Sequence, residues 1–130
     1  MRTFVSGKIN HLRVTEAELH YIGSVTIDAD ILKAANIQPY EQVDIVNLSN
    51  GERWTTYALP GKPQVFSLNG GGARSGRPGD ICIIMAYQQA EHFTEAPAVI
   101  IDSETNRIKE TLTYPITSPR PEDAPSVKTS

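Results

Sequence analysis

The strongest constraint on the fold is that β-forming residues come in short bursts. The runs Thr3 to Ile9, His11 to Val14, Ser24 to Ile27, Gln42 to Leu48, Arg53 to Leu59, Gln64 to Leu68, Ile81 to Tyr87, Ala98 to Ile101 and Glu110 to Tyr114 are rich in Val, Ile, Thr and Tyr. Turn-forming residues interrupt them, so no run is long enough for a long amphipathic helix. Asn50-Gly51 lies between two runs and predicts a hairpin, whose type I′ turn needs positive φ at both central residues. Two short helical starts are expected. Thr15-Glu16-Ala17-Glu18 has the form of a capping box, and Asp28 can cap a helix carrying Ile31, Leu32, Ala34 and Ala35 that Pro39 prevents from extending. Many short strands with little helix predict a mainly β protein, a small β-barrel with short helices.

At 130 residues the chain suffices for one core, and the barrel domain is expected over 1–115. Beyond Tyr114 the composition turns to Pro, Ser, Thr and charge, so 116–130 is expected to be a disordered tail. A net charge of −3 argues against a nucleic-acid partner. The longest apolar run, Ile81 to Tyr87, suits a buried strand and is far short of a membrane span. The first residues, Met1-Arg2-Thr3-Phe4-Val5, do not have the form of a signal peptide, and a cytoplasmic location is expected. One cysteine, Cys82, excludes an internal disulfide and reads as core filler. Three scattered histidines offer no metal-ligand spacing.

Chemistry is suggested by Tyr21-Ile22-Gly23-Ser24-Val25-Thr26-Ile27-Asp28. A Gly-Ser pair alone is an ordinary turn dipeptide. Here Gly7-Lys8-Ile9 precedes it, and Arg53-Trp54-Thr55-Thr56-Tyr57 and Asn69-Gly70-Gly71-Gly72-Ala73 follow. This ordered set resembles the pyruvoyl-dependent aspartate 1-decarboxylases, over most of residues 2 to 88. The resemblance implies a six-stranded double-psi β-barrel, assembled as a homotetramer with sites between subunits. It also implies that the chain cuts itself between Gly23 and Ser24, giving a β chain of 1–23 and an α chain of 24–130. Ser24 would become a pyruvoyl group, the cofactor that decarboxylates L-aspartate to β-alanine for pantothenate and coenzyme A synthesis. Whether a maturation factor assists is left open.

The resemblance also distributes roles. Gly23 has no Cβ and can take up the backbone geometry that attack by Ser24 requires. Arg53 would hold the carboxylate that the substrate keeps, its planar fork donating two parallel hydrogen bonds, with Lys8 adding charge. Thr56 would donate to the Gly23 carbonyl during processing and also border the substrate, while Tyr57 would act as the general acid after decarboxylation. Thr56 and Tyr57 are adjacent on a strand and point to opposite faces, so both can serve one site only at a twist or a cavity border. Asn69 would support processing. Gly70, Gly71 and Gly72 would bring backbone N–H groups close to a carboxylate.

Departures from the family pattern are specific. Gly71 and Gly72 stand where alanines are usual, Asn10 stands where a histidine often follows Lys-Ile, with His11 one place later, and Pro60-Gly61-Lys62-Pro63-Gln64 is a shortened turn. His20 reads as a packed or hydrogen-bonded residue. Two other functions fit the same residues: a barrel that binds an acidic metabolite without processing, and a pyruvoyl decarboxylase of another acidic amino acid such as glutamate. Arg53 alone does not separate aspartate from glutamate, because one methylene is worth only about 1–3 kcal/mol.

Overall fold

One long strand, β1 (Arg2–Arg13), runs through the sheet and pairs with two others. The structure, a computed structural model, describes residues 1–20 and 24–116. Gly23, and the tail from 117 onward, therefore lie outside the described residues. The remaining strands are β2 (Glu16–Glu18), β3 (Ser24–Asp28), β4 (Gln42–Asn47), β5 (Arg53–Gly61), β6 (Phe66–Asn69), β7 (Ile81–Ala90), β8 (Ala96–Asp102) and β9 (Arg107–Tyr114). A short helix α1 (Ala29–Ala34) follows β3, and a 3-10 turn (Gly70–Arg74) follows β6. The protein is mainly β, as expected. The described strands number nine and follow one hydrogen-bonded order, β2-β6-β3-β5-β4-β7-β1-β8-β9.

Alternation along these strands builds the core. Val25 and Ile27 on β3, Val43 and Ile45 on β4, Phe66 and Leu68 on β6, and Cys82, Ile84 and Ala86 on β7 are buried. Ile9, Leu12 and Val14 join them from β1 and its end. Two expected runs, Thr3 to Ile9 and His11 to Val14, are one strand with register shifts between Val5 and Gly7 and between Ile9 and Leu12. His11 sits in the second irregularity at φ 69°, and its exposed side chain points away from the core. The position that would hold the family's histidine is filled by buried Asn10.

Asp28 caps α1 as expected. Its Oδ1 accepts from the backbone N–H of Asp30 at 2.8 Å and of Ile31 at 3.4 Å, and its Oδ2 accepts from Gln64 N–H at 2.7 Å. One carboxylate thus starts the helix and fixes the turn between β5 and β6. The helix buries Ile31 and Leu32. Behind it, a Cβ at Gly7 would collide with the carbonyl oxygen of Ala35, so the glycine beside Lys8 is set by packing.

Two expectations are corrected. Thr15 to Glu18 do not start a helix. The Thr15 hydroxyl donates to the Phe66 carbonyl at 3.0 Å and accepts from Phe66 N–H at 2.9 Å, which removes the would-be cap. Glu16, Ala17 and Glu18 instead pair in parallel with Ser67, Leu68 and Asn69. The Asn50-Gly51 hairpin forms between β4 and β5, but as a wider loop. Asn47 N–H donates to Glu52 and Gly51 N–H to Asn47, and of the two central residues only Gly51 has positive φ, at 81°. Asn50 instead spends its side chain on the backbone, accepting from Glu52 N–H and donating to Ser75 O, which favours the open turn.

Gly7→Ala should lower stability by about 1–3 kcal/mol, because the added methyl must displace backbone rather than a flexible side chain. A urea titration of purified protein checks this through its midpoint; an unchanged midpoint would mean α1 is not held against β1.

Candidate active site

Ser24 opens β3 in a conformation few non-glycine residues adopt, at φ 135°. It is 4 % exposed, and its Oγ is buried with no hydrogen-bond partner among the described residues. An orphaned buried hydroxyl costs free energy, so it marks a place where other demands override stability. Ser24 pairs with Asn69 across the antiparallel ladder. On its other side Val25 pairs with Ala58, which sets Ser24 beside Tyr57 on the parallel strand β5. Ser24, Asn69 and Tyr57 are thereby brought together.

Asn69 is held at both ends. Its Oδ1 accepts from the Ser67 hydroxyl at 2.8 Å, and its Nδ2 donates to Thr26 Oγ1 at 3.0 Å. A buried amide with both ends engaged keeps one orientation. The 3-10 turn begins at the next residue. Gly70 is buried at φ 61°, a backbone state that suits glycine, so the chain turns immediately beside Ser24.

Thr56 and Tyr57 border a common open hollow of about 490 Å³ with Tyr40, Gln42 and Thr55, although they alternate along the strand. Thr56 pairs with core residue Val43, and Tyr57 pairs with exposed Gln42. The Tyr57 ring stacks on Tyr40 with centroids 6.0 Å apart at 19°. Neither Ser24 nor Arg53 lines this hollow.

The two cations lie farther apart along the sheet. Register places Lys8, Met85, Asp44 and Thr55 in one row across β1, β7, β4 and β5, with Arg53 on the same face of β5. Neighbouring strands are about 4.8 Å apart, so Lys8 and Arg53 belong to strands separated by roughly 14 Å along the sheet. Lys8 is half-buried and Arg53 exposed. A small hollow of about 140 Å³ is lined by Asp44, Ile45, Arg53, Trp54 and Thr55.

Residues that the sequence reading passed over cluster there. Thr55 Oγ1 donates to Asp44 Oδ1 at 2.6 Å. The Tyr87 hydroxyl donates to Met85 Sδ at 3.8 Å. Burial raises the Tyr87 pKa, the charge of Asp44 and a hydrogen bond to it raise it further, and Arg53 pulls it the other way. Only the register shows that Asp44 and Tyr87 face Arg53, since all three lie on different strands.

A family model described as aspartate decarboxylase matches residues 1–109. The chain belongs to the aspartate decarboxylase family. It is similar to the aspartate 1-decarboxylase of Neisseria meningitidis serogroup C / serotype 2a, with 46% identity over 118 residues, 87% of this chain and 93% of the relative. The aspartate 1-decarboxylases of Bacillus pumilus and of a Geobacillus species are each 45% identical over 116 residues, 85% of this chain and 91% of each relative.

Within that family, the glycines at 71 and 72 acquire different explanations. A Cβ at Gly71 would meet nothing within 4 Å, so nothing in the packing calls for glycine there. A Cβ at Gly72 would lie 3.2 Å from Trp54 Nε1, tighter than ordinary contact. Trp54 packs against the core with its Nε1 buried and unpartnered among the described residues. Gly72 is thus the space that lets a bulky indole occupy position 54.

Among the described residues no group of His, Cys, Asp and Glu could hold a metal ion, and no helix is long and apolar enough to cross a membrane. Cys82 is no rival nucleophile. Burial, and secondarily the charge of Asp80, pushes its thiol up to about 12. Since the thiolate is the reactive form, folded protein should resist an aromatic disulfide reagent from pH 7 to 9 and react once unfolded. Rapid labelling of the folded protein would contradict that burial.

Proposed function

We propose that this chain is a self-processing aspartate 1-decarboxylase, converting L-aspartate to β-alanine and carbon dioxide for pantothenate and coenzyme A synthesis. One observation carries this reading: the Ser24 hydroxyl is buried, without a partner among the described residues, and held at positive φ in a chain of this family. A serine committed to structure would have its hydroxyl satisfied and its backbone relaxed.

Ser24 Oγ attacks the carbonyl carbon of Gly23. The C–N bond breaks, a C–O ester bond forms, and the hydroxyl proton ends on the amide nitrogen. Loss of the Ser24 Cα proton with cleavage of the Cβ–Oγ bond releases the Gly23 carboxylate. Water then replaces the nitrogen as ammonia, leaving a pyruvoyl group at the head of 24–130. Thr56 donates to the Gly23 carbonyl, and Asn69, fixed by Ser67 and Thr26, keeps the β6 side of the site in place. An oxygen with no partner among the described residues, at the start of a strand and between Asn69 and Tyr57, suits this conversion.

The pyruvoyl group supplies an electron sink that none of the twenty side chains provides. The protein supplies position and protons. Arg53 takes the retained carboxylate of aspartate through a two-hydrogen-bond fork, and Lys8 adds positive charge on the same sheet face. Backbone N–H groups of Gly70, Gly71 and Gly72 face the other end of the substrate. Tyr57, adjacent to Ser24, returns the proton after carbon dioxide leaves.

In this reading the domain spans 1–115 as a six-stranded double-psi barrel, cut into 1–23 and 24–130, with 116–130 as a tail. Four copies assemble in the cytoplasm, and the separation of Lys8 from Arg53 along one sheet favours a site completed between neighbouring subunits.

Intact mass tests the central step. Wild-type protein should yield two fragments divided before Ser24, and Ser24→Ala a single chain. A wild-type chain that stays whole after prolonged incubation, with or without cell extract, would end this reading and leave a metabolite-binding barrel. Carbon dioxide release should be faster from aspartate than from glutamate. The reverse order would reassign the substrate. Tyr57→Phe should process normally and lose at least about 100-fold in turnover, whereas Arg53→Ala should raise KM with processing intact.

A further inference from the structure

Arg53 and Asp44 are positioned to neutralise each other, yet they do not meet. Asp44 pairs directly with Thr55, and Arg53 lies two residues along β5 on the same face. Such diagonal neighbours lie about 7–8 Å apart, well within the reach of an arginine side chain. They share one small hollow. No Asp44–Arg53 ion pair within 4.0 Å forms, and the ion pair found among the described residues joins Met1 to Glu91.

Asp44 instead accepts the Thr55 hydroxyl at 2.6 Å, a short charge-assisted hydrogen bond, with the Tyr87 hydroxyl also beside its carboxylate. The carboxylate is drawn toward the position directly opposite it and away from the diagonal. Arg53 keeps its guanidinium donors uncommitted among the described residues. An internal carboxylate this close would otherwise compete with any carboxylate arriving from solution, at the effective concentration of a tethered group.

We propose that Thr55 is a positioning residue: by donating its hydroxyl to Asp44 it holds that carboxylate off Arg53 and keeps the guanidinium open to the substrate. This rests on the reading of Arg53 as the carboxylate subsite. In this role Thr55 acts through Asp44. The loss of its hydroxyl therefore matters only while Asp44 is charged.

The test uses the self-processed enzyme, with succinate as a competitive probe and aspartate as substrate. Thr55→Val keeps the branched shape at an exposed strand position and should fold normally. It should raise the succinate inhibition constant and the aspartate KM about two- to fivefold, the span of an exposed ion pair, with kcat unchanged. Thr55→Ser should behave as wild type. In the Asp44→Asn background, Thr55→Val should have no effect. A loss of equal size in that background, or no loss in either, overturns the proposal. Arg53→Ala is the control. If it weakens succinate while Thr55→Val does not, this inference alone falls. If Arg53→Ala leaves succinate inhibition unchanged, the carboxylate subsite itself is wrong and the inference falls with it.

Discussion

Strand β3 is gripped on both edges, and the site depends on that grip. β6 runs antiparallel along one side and β5 parallel along the other, so Val25, Thr26 and Ile27 are fixed by two ladders at once, with Ser24 held by β6 and Asp28 by β5. Asp28 locks the far end by capping α1 and accepting from Gln64. With the strand anchored this way, Ser24 cannot relax its φ without disturbing its pairing to Asn69. Local strain of this kind persists only where the surroundings over-determine it. The same two ladders put Asn69 and Tyr57 on either side of the serine. Strain and site geometry have one cause.

Much of the fold is legible in the residues because β-branched and apolar residues fill the core strands and period-2 alternation survives in β4 and the first part of β7. Val43 and Ile45 on β4, or Cys82, Ile84 and Ala86 on β7, reveal both the strand and its buried face. Thr15 shows where such reading stops. Its four-residue pattern fits a capping box, but its hydroxyl is taken by Phe66, fifty-one positions away. Long-range pairing outcompetes a local cap, and nothing local announces it. Asn50-Gly51 is a milder case, in which the hairpin is legible but the loop width follows from the Asn50 side-chain bonds.

The candidate site divides the same way. Residues carried by motif order, such as Ser24, Arg53 and Tyr57, can be named from the chain. The environment of Arg53 cannot, since Asp44 and Tyr87 reach it only through the register of β4, β5 and β7. The Gly72–Trp54 contact is likewise invisible locally, because residues eighteen positions apart accommodate each other across the fold.

The ladder pattern has a further consequence for a chain divided before Ser24. Everything on the small piece that forms sheet, β1 and β2, bonds to strands of the large piece: β1 to β7 and β8, and β2 to β6. A cut there severs none of these hydrogen bonds, so the pieces remain interlocked. Refolding, by contrast, would change its molecularity. Two separate chains would have to find each other, and the recovery of structure after denaturation would become dependent on concentration. Division at this bond therefore leaves the folded form intact while making its loss hard to reverse.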